Sequence, residues 1–165
     1  MVRQNVSMTT GAALLACAAF HGLARAAPPA SAPTAEVVPA ARLRTYVAIT
    51  HDGLVAHPAT DDPASRTLIV RRDGPGEVEV HAVLNDVIVA EAGAAELLVG
   101  GRVDGGRETA PNERRGGNIV GGVRHNLRPG DLVWIPAGIP HQMIVRRGGS
   151  FTYVAVKTDK IPAGR

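Results

Sequence analysis

The chain has 165 residues, with 18 lysines and arginines against 15 aspartates and glutamates, and a single cysteine. This length has room for one domain and little else. Residues 1–26 contain Arg3 and Arg25 and no acid, so their removal would leave 16 basic and 15 acidic residues. That near-neutral balance gives no argument for nucleic-acid binding, which needs basic residues gathered on one face.

Residues 1–26 have the composition of a secretory signal peptide. Arg3 is the only charge before Arg25, residues 11–20 form a short apolar run, and Ala24-Arg25-Ala26 offers a small-x-small cleavage site. The apolar run is about half as long as a membrane-spanning helix requires. We therefore expect a mature protein that begins at Ala27, has no membrane span, and lies in the periplasm or outside the cell.

Lipidation of Cys17, which follows Leu14-Leu15-Ala16, is the alternative fate of this segment. Cleavage before Ala27 would instead remove Cys17, which is the single cysteine of the chain. The mature chain would then contain neither a disulfide nor a thiolate metal ligand.

Two further segments precede the predicted barrel. Residues 27–40 are rich in alanine and proline and have few large apolar side chains, which predicts a flexible leader. Residues 41–66 form an N-terminal segment, helical or extended, that we expect to pack on the barrel. The side chains that would make this contact are Leu43, Tyr46 and Val47.

From residue 67 to 157 the sequence is a succession of short β-type runs separated by Gly, Pro, Asn and Asp, with no helical period. So many short strands predict an all-β sandwich or barrel. Residues 100–117 are polar and rich in glycine and arginine, which predicts a mobile loop, and residues 158–165 form a C-terminal tail. The predicted strands are Thr67–Arg71, Glu77–Val83, Asp86–Glu91, Ala94–Val99, Asn118–Val120, Val123–Leu127, Leu132–Ile135, Gln142–Arg146 and Phe151–Lys157.

One predicted strand alternates polar and apolar side chains. Glu77, Glu79 and His81 would share one face of it, and the residues between them would share the other. This pattern is typical of ligands that line a cavity, but also of a half-exposed strand with its polar face in water. A hairpin through Leu84-Asn85 would bring Asp86 beside His81, although an aspartate before an apolar strand is also a common turn residue.

The stretch from Gly130 to His141 predicts a rigid corner that presents a histidine. A turn at Pro129-Gly130-Asp131 opens a short apolar strand. Three breakers, the last of them Pro140, then end that strand, because proline donates no hydrogen bond to a sheet. His141 begins the next strand, and a stiff corner suits a metal ligand.

These two patterns resemble the two motifs of the cupin family. Glu79-x-His81-x4-Asp86-x6-Gly93 is similar to the first motif, and Gly130-x5-Pro136-x-Gly138-x2-His141 matches the second through its histidine. The resemblance implies a single-domain cupin jelly-roll β-barrel over residues 67–157. The chain departs from the first motif at Glu79, where the family has a histidine, and at Asp86, where it usually has a glutamate.

Carried over residue by residue, the resemblance proposes His81, Asp86 and His141 as ligands of a divalent transition metal, with Glu79 as a candidate fourth ligand. Two imidazoles and a carboxylate suit Fe(II), and a second carboxylate would also suit Mn(II), Zn(II) or Ni(II). Aspartate is one methylene shorter than glutamate, so the backbone at Asp86 must come closer for its carboxylate to reach the metal.

Three other side chains lie near these motifs in the sequence. His125 would face the cavity as a third imidazole in one of the two registers of its strand. Trp134 and Met143 could each line the pocket, but packing in the core is the expected role of both.

For function, the resemblance implies a metal-dependent enzyme that acts on a small organic substrate, of dioxygenase, isomerase or lyase type, because cupins include all three. The alternative is a non-catalytic module that binds a small molecule in the same cavity. No DNA-binding segment accompanies the barrel, so we expect no nucleic-acid partner. The resemblance also implies that the chain forms a homodimer.

Overall fold

The structure is a computed structural model that describes residues 35–160. The predicted signal peptide, residues 27–34 of the leader and residues 161–165 of the tail lie outside this range. Within it, the helix α1 is followed by thirteen strands. The bounds are α1 Ala40–Tyr46, β1 Leu54–Pro58, β2 Thr67–Arg72, β3 Glu79–His81, β4 Leu84–Gly93, β5 Ala95–Val99, β6 Arg102–Asp104, β7 Arg107–Ala110, β8 Glu113–Arg115, β9 Asn118–Val120, β10 Val123–Leu127, β11 Leu132–Ile135, β12 His141–Ile144 and β13 Phe151–Asp159.

The strands form two main sheets, and their pairings are antiparallel. One sheet has the strand order β1-β2-β13-β4-β11, and the other has the order β10-β5-β12-β3-β8-β7. Strands β6 and β9 make a separate two-stranded ribbon. The prediction of an all-β fold is confirmed. Over residues 35–160, the structure has no helix with the length and apolar character needed to cross a bilayer.

The main core is built from strand positions that alternate between a buried and a less buried environment. On β13, Phe151, Tyr153 and Ala155 are buried, while the residues between them are half-buried. A strand points successive side chains to opposite faces, so this row faces the opposing sheet. Met143 of β12 joins the same core, as the sequence predicts.

The prediction that Trp134 packs in the core is wrong. Strand β11 lies at the edge of its sheet, and Trp134 is 52% exposed. Leu132, two residues earlier on the same face, is also exposed, whereas Ile135 is buried. The alternation of β11 therefore directs the tryptophan outward, and composition alone gave no means of choosing between the two faces.

The N-terminal segment adds a helix and an edge strand to the five-stranded sheet. Leu43 and Tyr46 of α1 pack with Val47 against the buried Ile69 of β2. Strand β1, which was not predicted, pairs antiparallel with β2 along its whole length. The Tyr46 ring also stacks on His57 of β1, with 3.9 Å between the ring centroids.

The prediction of a mobile loop at residues 100–117 is wrong, because this stretch contains β6, β7 and β8. Every residue of β7 is exposed, so the stretch lacks the apolar alternation by which a strand is recognised in a sequence. Its glycines allow backbones to approach closely: a Cβ at Gly117 would lie 2.5 Å from the carbonyl oxygen of Asp104. Strand β8 pairs with β3, which brings residues 113–115 beside the predicted site.

Candidate metal centre

His81 and His141 meet because the two strands that carry them are neighbours. His81 ends β3, His141 begins β12, and the register places His141 directly opposite Glu79 of β3. Both imidazoles are buried, and their ring centroids are 5.3 Å apart. The predicted corner is tied to β3, because the backbone N–H of Gly138 donates to the carbonyl of His81 at 2.7 Å. The corner therefore positions one histidine and is anchored on the other.

Asp86 approaches these imidazoles from the opposite sheet. It lies on β4, and its Oδ2 is 3.2 Å from Nε2 of His81 and 3.4 Å from Nε2 of His141. The side chain is 5% exposed. The backbone of β4 therefore lies close enough for the shorter aspartate side chain to contact both imidazoles.

Glu79 completes the cluster from β3. Its Oε2 is 3.6 Å from Nε2 of His81, and one ligand atom from each of Glu79, His81 and His141 lies within 4.8 Å of the other two. Its Oε1 accepts a hydrogen bond from Arg72 at 2.8 Å and forms a salt bridge with Arg115 at 3.0 Å. One carboxylate oxygen is thus held by arginines, and the other faces the histidines.

The ring nitrogens that face away from the cluster have their own partners. Nδ1 of His141 lies 3.1 Å from the carbonyl oxygen of Ile139, and Nδ1 of His81 lies 2.5 Å from Oε2 of Glu113. When each Nδ1–H donates to these oxygens, the neutral rings carry their lone pairs on Nε2, toward Asp86. Such outer partners are typical of metal-bound histidines.

The four residues predicted from the sequence are thus brought together in one buried cluster. Two imidazole nitrogens and two carboxylates form a donor set that fits a divalent transition metal. The set Glu79, His81 and His141 is a possible metal-binding triad. The assignment of all four side chains, including Asp86, as ligands stays a prediction.

Comparison with known proteins concerns the fold. No protein-family profile and no curated protein matches this chain. Among solved structures, TT1209 from Thermus thermophilus is similar at 18% identity over 72% of this chain and 95% of that chain, with a TM-score of 0.50. The Drosophila melanogaster CENP-C cupin domain is similar at 12% identity over 67% of this chain and 68% of that chain, with a TM-score of 0.48.

DMSP lyase DddQ from Ruegeria pomeroyi DSS-3 is similar at 18% identity over 59% of this chain, with a TM-score of 0.41. The present chain spans 40% of the length of that structure. At such identities, similarity concerns the fold and not the activity. In this chain, the similarity in fold is found together with two antiparallel sheets and with both motif histidines at one buried site. The chain has an all-β cupin fold.

The ionisation states at the centre of the cupin barrel follow from burial and close partners. Burial lowers the pKa of His141, which favours the neutral imidazole that ligates metals. For His81, burial acts to lower the pKa, but the close carboxylates of Asp86 and Glu113 outweigh it and raise the pKa overall. The two imidazoles therefore differ in how readily they take up a proton.

Both inner carboxylates are held in the ionised form. Burial acts to raise the pKa of Asp86, but the close approach of His81 and the hydrogen bond and charge of Lys157 outweigh it and bring the pKa to about 2. Burial likewise acts to raise the pKa of Glu79, and the charges of Arg115 and Arg72 outweigh it, so the pKa is lowered. Both groups are therefore anionic donors at neutral pH.

Two predicted polar residues lie away from the centre. Glu77 precedes β3 instead of sharing its inner face, and its half-exposed carboxylate pairs with Arg107 at 2.9 Å. His125 is exposed on β10, so the register in which it would face the cavity is not the one that forms. Neither residue belongs to the cluster of Glu79, His81, Asp86 and His141.

Sequence reasoning missed the cations of the centre. Lys157 of β13 lies 2.7 Å from Oδ1 of Asp86 and 2.9 Å from Nε2 of His81. Its position was detectable, because it continues the two-residue alternation of Phe151, Tyr153 and Ala155. Arg72, whose Nε donates to the Tyr153 hydroxyl at 3.2 Å, gave no comparable signal.

A cavity of about 130 Å³ adjoins the cluster inside the barrel. Its wall combines charged side chains, including Arg72, Arg115 and Lys157, with apolar ones such as Ile88 and Met143. A wider surface depression of about 700 Å³ lies near the turn between β12 and β13, but none of the four clustered residues lines it. The smaller cavity is therefore the one that adjoins the four clustered residues, and it has room for a small molecule only.

Proposed function

We propose that this chain is an exported metal-binding cupin enzyme that acts on a small organic substrate. The observation that carries this proposal is the convergence of two imidazoles and two carboxylates at the wall of an internal cavity. Perturbed ionisable groups at a cavity are typical of functional sites. The proposed reaction is of dioxygenase, isomerase or lyase type.

The ligands that would hold the metal are His81, His141, Glu79 and Asp86. A divalent ion held by them supplies Lewis-acid or redox chemistry, according to whether it is Zn, Ni, Mn or Fe. The chain's own contribution is to orient these donors. Arg72 holds Glu79 by one oxygen, which leaves the other oxygen directed at the histidines.

The wall of the cavity would select the substrate. Its volume limits the substrate to a few heavy atoms, and its apolar part, with Val70, Ile88 and Met143, excludes water from the reacting region. The buried hydroxyl of Tyr153 also lines it. Burial raises the pKa of this phenol, so it stays protonated and can donate to a substrate oxygen.

A second function, binding without catalysis, is favoured by one observation. Each inner carboxylate already pairs with a cation of the chain: Asp86 with Lys157, and Glu79 with Arg72 and Arg115. An ion-pair network of this kind needs no metal to be charge-balanced. A module of this kind would hold a small ligand in the cavity without transforming it.

Metal analysis of untagged protein distinguishes the two functions. The metal-dependent enzyme is expected to retain close to one transition-metal ion per chain, and His141→Ala is expected to lose it. His125→Ala is the matched control, because His125 is exposed and outside the cluster. A wild-type protein that neither retains a metal nor takes one up on dialysis would contradict the proposal.

Export is proposed from the composition of residues 1–26 and has its own test. N-terminal sequencing of protein recovered outside the cytoplasm is expected to begin at Ala27. Cytoplasmic protein that begins at Met1 would contradict export. A lipid-modified Cys17 would show that the exported chain is anchored through a lipid and is not cleaved before Ala27. The homodimer, a prediction from the resemblance, is tested by the mass of the purified protein in solution.

A further inference from the structure

A protein cation lies among the predicted metal ligands. Lys157 and Asp86 are opposite each other in the antiparallel pair β13 and β4, so their side chains leave the sheet on the same face. The ammonium donates to Oδ1 of Asp86 at 2.7 Å and to Nε2 of His81 at 2.9 Å. Lys157 thus contacts two of the four side chains that would bind the metal.

The contact with His81 excludes simultaneous metal binding. A neutral imidazole whose Nδ1–H donates to Glu113 has a single lone pair, on Nε2, and the ammonium of Lys157 occupies it. A metal ion would need the same lone pair at about 2.0–2.2 Å. One lone pair cannot serve both cations, so metal and ammonium are alternatives at this atom.

The charges around the cluster balance when the ammonium is in place. Three carboxylates, of Glu79, Asp86 and Glu113, lie within 3.6 Å of the ring nitrogens of His81. Three protein cations pair with the two inner carboxylates: Arg72 and Arg115 with Glu79, and Lys157 with Asp86. A divalent ion would add two positive charges to a buried region that is already compensated, and it would repel the nearby ammonium. Displacement of Lys157 relieves this repulsion and frees both His81 and Asp86.

We infer that Lys157 is an internal competitor for the metal: its ammonium links Asp86 to His81 in the metal-free chain, and a metal ion binds only by displacing it. This inference rests on the proposed metal-binding function. It makes Lys157 the residue that sets metal affinity, although it is not a ligand. Its removal therefore tightens metal binding, whereas removal of a ligand weakens it.

The test compares Lys157→Met with wild type by calorimetric titration with Zn²⁺ alone, using purified protein stripped of metal. Methionine is close in length to lysine and has no charge. The Zn²⁺ dissociation constant is expected to fall by at least about tenfold. Lys160→Met is the matched control, because Lys160 is exposed one residue beyond the end of β13. The Zn²⁺ dissociation constant of this control variant is expected to match that of wild type.

Thermal unfolding provides a second measurement. Without zinc, Lys157→Met is expected to melt below wild type, because Asp86 loses its cation while remaining buried. Saturating zinc is expected to raise the melting temperature of the variant more than that of wild type. Lys157→Gln, which keeps a polar group, is the substitute if the methionine variant does not fold.

The outcomes separate the inference from the function on which it rests. Equal or weaker zinc binding by the Lys157 variants than by wild type, together with loss of binding in His141→Ala, overturns the role of Lys157 and leaves the metal site intact. Absence of zinc binding in both wild type and the Lys157 variants overturns the metal site and the inference together.

Discussion

The carboxylate of Asp86 and the ammonium of Lys157 face each other across two neighbouring strands, 2.7 Å apart inside the barrel. Lys157 is 71 positions further along the chain, so only the pairing of β13 with β4 brings the two groups together. The pair shows that this cupin barrel supplies its own cation to a cluster of metal-ligand type. Substitutions around the cluster therefore test both metal binding and charge balance.

Glu79→Gln tests whether the residue that departs from the family motif contributes to the metal site. The amide keeps the shape of the side chain but removes the charge that faces His81. Metal affinity is expected to fall about tenfold or more, measured by competition with a chelator. Glu77→Gln is the control, because Glu77 pairs with Arg107 outside the cluster. Equal metal affinity in both variants would show that Glu79 is not a ligand and that its role is to neutralise the charges of Arg72 and Arg115.

Glu113→Gln tests the outer partner of His81. The carboxylate accepts from Nδ1 of His81 at 2.5 Å and so directs the Nε2 lone pair inward. Loss of such a partner typically costs about 10–100-fold in metal affinity. Competition with a chelator measures the metal affinity. Glu108→Gln is the control, because Glu108 is an exposed acid on the adjacent strand β7, and its metal affinity is expected to equal that of wild type. An unchanged affinity in Glu113→Gln would contradict this positioning role.

Asp73 is expected to make a pH-dependent contribution to stability. A hydrogen bond from the Thr50 hydroxyl and another from Arg71 lower the pKa of its carboxyl from the ordinary value of 3.8. A group whose folded pKa is depressed stabilises the fold above its unfolded pKa and loses this effect as pH falls through the folded pKa. Asp73→Asn is therefore expected to be less stable than wild type near neutral pH.

The stability difference between wild type and Asp73→Asn is expected to shrink steadily below pH 3.8. Urea unfolding at several pH values measures this difference. Asp104→Asn, at an exposed position of the ribbon strand β6, serves as the comparison. A difference between wild type and Asp73→Asn that is the same at pH 7 and at pH 3 would show that the carboxyl acts through its shape and not through its charge.

Phe151 is expected to be among the most sensitive core positions. Its side chain is fully buried, at 0% exposure, between the two sheets. Phe151→Ala is expected to lower the free energy of unfolding by about 3–5 kcal/mol, because it removes a large buried ring and leaves a cavity. Leu132→Ala, on the outer face of β11, is expected to change it by less than about 0.5 kcal/mol. Denaturant unfolding measures both values.

The part of the site that was predictable lies in local patterns. The breakers before His141 specify a corner regardless of what packs against it, and the alternation around Glu79 and His81 specifies a shared face. The succession of short β runs was sufficient for the all-β class. The grouping of Glu79, His81, Asp86 and His141 came from the resemblance of these patterns to the two cupin motifs.

What the sequence could not supply depends on pairing between distant strands. Strand β8 has no apolar alternation, so nothing local indicated that Glu113 and Arg115 lie beside β3. Arg72 and Lys157 reach the cluster through the order β2-β13-β4, and that order is set by the packing of the whole barrel. Trp134 was misplaced for the same reason, because the choice of face on an edge strand follows from its neighbours.

The location of the cluster also has a mechanical consequence. His81 and Asp86 belong to different sheets, which the described pairings do not join by backbone hydrogen bonds. A cation that contacts both residues, either the Lys157 ammonium or a metal ion, therefore links the two sheets at this end of the barrel. Loss of this link would let the two sheets separate locally. Amide hydrogen exchange would then become faster in both β3 and β4, while the amides around Phe151 would keep their protection.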